Sequence, residues 1–277
     1  MKENPLAMHF RNPAIYVKLP SNGNFWKENA VEIPINKELP VLPMTARDEI
    51  SIRTPDALMN GSGVVDVIRS CIPNISDPWS IPSVVLDSIL IAIRIATYGN
   101  GMDVDSKCPS CKEENTHEAD LGYVIANIQM PNYDVPLDID GLKIYLRPRT
   151  YQELTSGDVA SFEERQLMRS LEIDQELSDE ERIEKFNQRL QRLVELNYDI
   201  LTQSIEKIVT PSNDVVNEKE FIREFLANTS NKNIHMVRDR LGELNSQNAI
   251  KPVHVCCEHC QTQYDVELKF DYSSFFG

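Results

Sequence analysis

Two pairs of cysteines are the residues of this sequence best suited to chemistry. Cys108 and Cys111 enclose Pro-Ser, and Cys257 and Cys260 enclose Glu-His, so both pairs have the spacing C-x-x-C. Such a turn brings two thiolates to one side of a tight knuckle, within reach of the roughly 2.3 Å bonds of a tetrahedral Zn²⁺ ion. Two knuckles supply four sulfurs and leave no open coordination position. The spacing therefore predicts a structural zinc site made by Cys108, Cys111, Cys257 and Cys260.

Residues beside the knuckles leave alternatives open for the ligand set. Cys256 adjoins Cys257 and could replace it, although only Cys257 completes the C-x-x-C spacing with Cys260. The thiols could also remain unmetallated or form a redox pair, although no thioredoxin-like βαβ pattern surrounds either motif. Surface positions are the simpler explanation for the nearby histidines, which could otherwise substitute as ligands. These histidines are His117, His254 and His259.

The two predicted knuckles are unusual in spacing and in turn residues. About 145 residues separate the pairs, whereas a compact ribbon has roughly 15 to 20. We therefore interpret the ribbon as split, with the intervening chain inserted between its arms. Glycine often follows the second cysteine of a knuckle, but Lys112 and Gln261 stand there, so each turn must tolerate a side chain. The remaining cysteine, Cys71, lies in a predicted helix and is expected to be a buried apolar thiol.

Charge and hydropathy exclude several classes of protein. The 277 residues include 28 Lys and Arg against 43 Asp and Glu, a formal net charge of −15. Such a surface repels phosphate backbones and anionic lipid, so neither nucleic acid nor membrane is an expected partner. The longest apolar stretch, Ile81 to Ala96, is too short to span a bilayer. Residues 1–13 lack the apolar region of a secretory signal, which favours a reducing compartment, where paired cysteines more often bind metal than form disulfides.

Nothing in the sequence predicts an enzyme. There is no P-loop, dinucleotide-binding, H-E-x-x-H or G-x-S-x-G motif. The acidic run at 179–181 follows Ser178, and a helix capping box is the simpler interpretation of that pattern than a catalytic cluster. Arg94 lies seven residues after Asp87 on the same face of a predicted helix, which suggests a structural ion pair.

Residues 1–99 are predicted to form an N-terminal domain of strands and helices. Ala14 to Leu19 has the pattern of a strand, and Thr45 is a candidate helix N-cap. Helices are predicted at Gly61–Ile72 and Pro82–Tyr98, and the second is apolar on nearly every face, which indicates burial all round.

Between Pro34 and Pro43 the chain is predicted to be extended, because the prolines prevent a long helix. Extended backbone can leave donors and acceptors free to pair with the sheet edge of another chain. We therefore predict that Val41 and Leu42 belong to a docking segment.

Residues 123–250 are predicted to be a hairpin followed by a helical insertion, between ribbon arms at 100–122 and 251–277. Asp140-Gly141 is the strongest hairpin signal in the sequence. The whole chain is thus predicted to be α+β, a mixed helical domain with a split four-cysteine zinc ribbon and a helical insertion between the ribbon arms.

A long amphipathic helix is predicted within the insertion, from the capping box at Ser178 to just before Pro211. Its apolar residues recur at three- and four-residue steps as far as Ile205 and Ile208. Such a stripe most commonly lies in the core of a protein. The residues that form it are Ile183, Phe186, Leu190, Leu193 and Val194. Shorter helices are predicted at 217–227 and 231–244.

Several stretches together resemble a known family. They are Leu42–Asn60 with the following Gly61, Asp87–Gly99, and the Cys-Pro-Ser-Cys motif at 108–111. In order and spacing they resemble the baseplate hub subunit family of T-even-like contractile-tailed phages. The similarity is clearest over about residues 40–120, and the cysteine pair near the C-terminus is consistent with it.

The resemblance implies a virion protein of the tail baseplate, assembled in the host cytoplasm. It implies a structural component of the hub or inner baseplate, which contacts other baseplate and tail proteins and is present in several copies in a symmetric assembly. The alternative is a tail or baseplate assembly chaperone that is absent from the mature virion. Neither implies a catalytic residue.

Overall fold

The computed structural model describes residues 4–6, 9–54, 60–173, 178–268 and 275–276. Helices and small antiparallel sheets make the chain α+β, as predicted. The chain divides into two compact units, the first formed by residues 1–130 and 248–277 and the second by residues 131–247. In the described residues, no helix is both long enough and apolar enough to cross a bilayer. The finer division stays a prediction, with domains at 1–99, at 100–122 together with 251–277, and at 123–250.

The first unit opens with a two-stranded antiparallel sheet, made of β1 (Ile15–Val17) and β2 (Leu39–Val41). Helix α1 (Ala46–Ile52) follows a capping box. The Thr45 hydroxyl accepts from the backbone N–H of Asp48, and the Asp48 carboxylate accepts from the backbone N–H of Thr45. This arrangement satisfies two otherwise unpaired donors and confirms Thr45 as an N-cap.

The core of this unit is built around α3 (Ser83–Tyr98). It is preceded by α2 (Ser62–Cys71) and by a short 3₁₀ turn (Pro78–Ser80). Every residue of α3 from Ser88 to Ile93 is buried. The helix is therefore surrounded by protein on nearly all sides, as its uninterrupted apolar sequence predicted.

Arg94 on α3 contacts Phe275, and among the described residues it does not pair with Asp87. Its Nη1 donates to the backbone oxygen of Phe275 at 2.5 Å, and its guanidinium lies 5.3 Å from the centre of the Phe275 ring. The Tyr98 hydroxyl donates to the backbone oxygen of Phe276 at 2.8 Å. Both phenylalanines are buried. Burial raises the pKa of the Asp87 carboxyl.

The prediction that the Pro-rich segment offers free backbone for docking is wrong. Val41 is fully buried, and its carbonyl oxygen accepts from Ala14 N at 2.9 Å. Leu42 N donates to the carbonyl oxygen of Cys71 at 2.8 Å. The backbone oxygen of Val41 and the backbone N–H of Leu42 are thus paired inside the unit. A charged residue at position 41 would disrupt the core instead of a contact with another chain.

Two hairpins complete the first unit. β3 (Gly101–Lys107) pairs with β4 (Glu114–Asp120), which leads into α4 (Leu121–Ala126). β9 (Val253–Cys256) pairs with β10 (Gln263–Val266). The two hairpins are separate two-stranded antiparallel sheets in the described part of the chain. Each predicted ribbon arm thus contains one hairpin, and their union in a zinc ribbon stays a prediction.

A four-stranded antiparallel sheet forms the base of the second unit, in the order β5-β6-β7-β8. The turn between β5 and β6 is Asp140-Gly141, with φ of 52° and 83°. Positive φ at both positions is the conformation that this dipeptide favours in a two-residue hairpin, so the hairpin prediction is confirmed. The strands are β5 (Leu137–Ile139), β6 (Leu142–Leu146), β7 (Ile205–Val209) and β8 (Val215–Val216).

Two long helices, α5 (Tyr151–Ile173) and α6 (Asp179–Ser204), pack side by side as a hairpin, which we call the helical arm. The capping box of Ser178 and Glu181 at the start of α6 is confirmed. The predicted continuation of this helix to Pro211 is wrong. The helix ends at Ser204 and the chain continues as β7 from Ile205. There the backbone N–H and C=O groups pair with those of β6.

The prediction that the stripe of α6 lies in the core is also wrong. Ile183 is 62% exposed, Phe186 36%, Leu190 46% and Val194 45%. These side chains lie along the outer surface of the helical arm. Only farther along the helix, at Leu196 and beyond, do apolar residues become buried.

The second unit ends with α7 (Lys219–Asn228) and α8 (Asn231–Asn248), near the predicted ranges. Arg223 on α7 forms ion pairs with Glu195 and Asp199 on α6. These contacts attach the helical arm at its base.

Candidate metal centre

The two C-x-x-C motifs occupy the tips of the two hairpins in equivalent loops. Lys107 pairs with Glu114 across the first hairpin, and Cys256 pairs with Gln263 across the second, so each tip is a loop of the same length. The cysteines fall at the same loop positions in both. Cys257 therefore corresponds to Cys108, and Cys256 corresponds to the strand residue Lys107.

The backbone hydrogen bonds of the two loops are also equivalent. Cys108 N donates to the oxygen of Glu113 at 3.0 Å, and Cys257 N donates to the oxygen of Thr262 at 2.9 Å. The residue after each second cysteine donates back to the first cysteine. These bonds are Lys112 N to Cys108 O at 3.1 Å and Gln261 N to Cys257 O at 3.0 Å. The same turn has formed twice from different intervening residues.

The residue after each second cysteine adopts the left-handed conformation that usually favours glycine. The φ angles are 66° at Lys112 and 61° at Gln261, a conformation that costs a side-chain-bearing residue roughly 1–2 kcal/mol. Each side chain reaches back to a carbonyl three residues earlier. Lys112 Nζ donates to Pro109 O at 2.8 Å, and Gln261 Nε2 donates to Glu258 O at 3.4 Å. Both turns thus accommodate a residue with a side chain at this position, and in each turn that side chain makes the same kind of hydrogen bond.

The four cysteine sulfurs converge between the two loops. Cys108 Sγ lies 3.6 Å from Cys260 Sγ, and Cys111 Sγ lies 3.6 Å from Cys257 Sγ. All four atoms lie within 4.8 Å of one another. A disulfide would need about 2.05 Å, whereas four bonds of 2.3 Å around a tetrahedral ion place neighbouring sulfurs about 3.8 Å apart. The sulfur positions therefore fit a tetrahedral ion of the size of Zn²⁺.

A polar cluster beside the sulfurs joins the two hairpins directly. The hydroxyl of Tyr264 on β10 lies 2.8 Å from Ser106 Oγ on β3 and 3.2 Å from His117 Nε2 on β4. Asn115, which is buried, accepts from the backbone N–H of Glu258 at 3.0 Å. These bonds fix the second loop against the first hairpin.

The surroundings of the second knuckle favour its thiolates. Hydrogen bonds with the Thr262 hydroxyl and backbone N–H lower the pKa of Cys260 to about 6. Burial alone would raise the pKa of Cys257, but the backbone N–H groups of Cys260 and His259 lower it. Thiolates are the form in which cysteines bind metal.

A sequence profile of the family described as T4 bacteriophage base plate protein matches residues 17–277, nearly the whole chain. The chain belongs to this family. Membership implies a structural role in a phage baseplate, a place in the virion tail, and contacts with other tail or baseplate proteins. The match extends the resemblance seen at residues 40–120 to the second cysteine pair and to the helical arm. Searches among curated proteins and among solved structures find no match.

The alternative ligands of this baseplate protein have other surroundings. Cys256 is exposed, and its sulfur lies 3.6 Å from Gln261 Oε1. His254 Nδ1 lies 2.8 Å from an Asp265 carboxylate oxygen, whose hydrogen bond raises the pKa of the histidine. Neither belongs to the group of converging sulfurs.

Cys71 is fully buried, as predicted for an apolar thiol. Burial and the nearby Asp48 carboxylate raise its pKa to about 12, which keeps the thiol protonated. It is therefore part of the core and lies outside the metal centre.

Sequence analysis missed the side chains that join the baseplate protein's hairpins. Asn115 and Tyr264 belong to strands with no recognisable motif, and His117 was expected at the surface. In β4 the two-residue period of a strand places Asn115 on the same, inward face as Ala119, the one apolar residue of this strand, which is a signal that Asn115 needs a partner there.

Proposed function

We propose that the chain is a structural component of the hub or inner part of a contractile-tail baseplate, and that it acts by holding other proteins in place. The observation that supports this proposal most is the family match over residues 17–277. The two hairpins joined at their tips suit such a role, because a closed, four-sulfur centre positions protein segments and leaves no coordination site for a substrate.

We also propose that Cys108, Cys111, Cys257 and Cys260 hold one structural Zn²⁺ per chain. The sulfur separations and the equivalent turns support this ligand set. A zinc ion bound there would supply a rigid tetrahedral link between the hairpins. Structural zinc sites contribute on the order of 10–16 kcal/mol of apparent binding free energy, which is coupled to folding.

The domain division and the partners follow from the same role. The helical part of the chain is inserted between the two hairpins, and several copies are expected in a symmetric baseplate assembled in the host cytoplasm. Other baseplate or tail proteins are the proposed partners. The net charge of −15 disfavours nucleic acid and anionic lipid as alternatives.

Quantitative mass spectrometry of purified phage particles tests the proposed role. A fixed component is expected at a constant copy number per particle, in proportion to other baseplate proteins. If the chain is present in infected cells and missing from mature particles, the proposal of a fixed component fails. The chain would then be a tail or baseplate assembly chaperone.

A further inference from the structure

The outer surface of the helical arm carries an apolar patch that is exposed in the part of the chain that the structure describes. On α6 the exposed apolar residues follow one another at steps of three, four and four, which places them on one side of the helix. Beside them, Leu167 of α5 is 41% exposed, and Leu171, Arg182, Ile183 and Phe186 line a cleft of about 190 Å³. We call this set the arm patch: Leu167, Leu171, Ile183, Phe186, Leu190 and Val194.

The edge of the arm patch that faces away from α5 is acidic. With about 100° of rotation per residue, Glu180 and Glu184 lie roughly 60° and 100° to one side of Ile183, whereas Arg189 lies about 120° to the other. Arg189 pairs with Glu164 of α5, which identifies the side on which α5 packs. Glu180 and Glu184 are exposed, and neither has a cationic partner in the part of the chain that the structure describes.

The charge of this edge disfavours an antiparallel second copy and favours a different partner. In an antiparallel pair of identical arms a two-fold axis brings the same edge of each helix together, so carboxylates would face carboxylates. Two chains that each carry a charge of −15 would add to this repulsion. A helix with an apolar face and lysine or arginine along one edge would complement the arm patch in both respects.

We propose that the arm patch is the docking site for a basic amphipathic helix of another protein. The stripe from Ile183 to Val194 is about 17 Å long, so the partner helix needs three turns or more. Its apolar face covers Phe186 and Leu190, and its basic edge lies beside Glu180 and Glu184. This inference rests on the proposed role of the chain in holding other proteins.

Two synthetic peptides of about 18 residues test this proposal with the full-length protein. Both are helical and carry leucines on one face. One has lysines along the edges of that face, and the other has glutamates. We expect fluorescence anisotropy to show binding of the lysine peptide at least about tenfold tighter than binding of the glutamate peptide. A double variant, Glu180→Lys with Glu184→Lys, is expected to reverse that preference.

Phe162 offers a matched control for the apolar contact. It is 44% exposed on α5 and belongs to the same helical arm, but it lies on another face of it. Phe186→Ser is expected to weaken binding of the lysine peptide about tenfold, and Phe162→Ser less than about twofold. Leu190→Ser repeats the test if Phe186→Ser proves unstable, and circular dichroism checks that each variant is folded.

The proposal is overturned if Phe186→Ser and Phe162→Ser weaken binding equally, or if the two peptides bind with equal affinity. It is also overturned if sedimentation shows a wild-type dimer that Phe186→Ser dissociates, because a second copy then covers the arm patch. A chain that is present in phage particles but binds neither peptide keeps its proposed structural role and loses this docking site.

Discussion

The pair of hairpins and the helical arm each consist of two elements side by side, two hairpins in one and two helices in the other, but their stabilising contacts differ. The hairpins are joined across the sequence, since sulfurs from residues 108–111 meet sulfurs from residues 257–260 and Tyr264 reaches His117. The helical arm depends on local contacts. Each of its helices starts with a reciprocal pair of hydrogen bonds, at Thr150 with Glu153 and at Ser178 with Glu181.

The difference shows where each region finds its partner. At the hairpins, the polar groups of Asn115 and Tyr264 and the converging sulfurs are matched within the chain. On the helical arm, apolar side chains such as Ile183 and Leu190 remain open to water. Monomeric proteins rarely expose contiguous apolar patches without a function. The first region therefore holds the chain together, and the second is suited to contact with another molecule.

Loss of a proposed zinc ligand should have the largest effect of any single change. Cys257→Ser is expected to abolish binding of one zinc per chain. It should also remove most of the metal-binding free energy that such a site couples to folding, which is on the order of 10–16 kcal/mol. Cys256→Ser is the matched control, because its sulfur lies outside the converging group. Elemental analysis and thermal unfolding of both variants provide the measurement. Equal losses in the two variants would show that the ligand set is wrong.

A smaller, pH-dependent effect is expected at the base of the helical arm. Burial opposes ionisation of Glu153, but hydrogen bonds from Arg147 and from Thr150 N–H outweigh it and lower the pKa of the carboxyl. A lowered pKa means that the carboxylate stabilises the fold above its ordinary pKa near 4.5, and that this contribution disappears as the pH falls through the folded value.

Glu153→Gln should therefore cost about 1–2 kcal/mol near neutral pH, because it replaces the charged hydrogen bond with Arg147 by a neutral one, while the amide oxygen can still accept from Thr150 N–H. The cost should shrink steadily below about pH 4.5. Urea unfolding at several pH values measures it. A difference between variant and wild type that stays constant down to pH 3 would contradict the role of the ionised carboxyl.

Glycine in the knuckle turns should have a smaller effect of opposite sign. Because Lys112 and Gln261 have positive φ, a glycine at either position relieves backbone strain. The lost side-chain hydrogen bond and the greater freedom of the unfolded chain oppose this gain. Lys112→Gly and Gln261→Gly should each stabilise the protein by a net of about 0.5–1 kcal/mol. Ser110→Gly, in the same loop at a negative φ, should destabilise it by about 0.5–1 kcal/mol. Thermal unfolding of the zinc-loaded protein separates these outcomes, and a stabilising Ser110→Gly would refute the conformational argument.

Removal of the second unit should leave metal binding unchanged. Asn248 Nδ2 donates to the backbone oxygen of Gln129 at 3.0 Å, so the points where the first unit gives way to residues 131–247 and resumes after them are close together. A short Gly-Ser linker in place of residues 131–247 should give a folded chain that still binds one zinc. Aggregation, or loss of zinc at unchanged solubility, would show that the second unit is needed for the core of the first.

Local sequence signals predicted the elements that depend on neighbouring residues. The caps at Thr45 and Ser178 and the turn at Asp140-Gly141 are formed by side chains and backbone groups within four residues, so their patterns are sufficient. The meeting of the four cysteine sulfurs was also predictable, because two C-x-x-C motifs have the spacing of ligands to one metal ion.

Long-range pairing determined the features that sequence analysis did not predict. Ile205 and Ile208 continue the helical period of α6, yet they belong to β7 because β6 lies beside them. The stripe of α6 has the pattern of a core helix, but four of its residues are exposed among the residues that the structure describes. The contact of Arg94 with Phe275 joins residues 181 positions apart, and neither residue has a local pattern that indicates it.

The position of the cysteines also determines how a mechanical load would travel along the chain. Cys111 and Cys257 bring their sulfurs to 3.6 Å although about 145 residues separate them. With an ion bound, tension between the segment before Cys108 and the segment after Cys260 passes through metal–sulfur bonds and bypasses the chain between them. The sheet of the second unit and the helical arm then lie outside the path of that tension. A partner that displaces the helical arm would then leave the tension between the two hairpins unchanged.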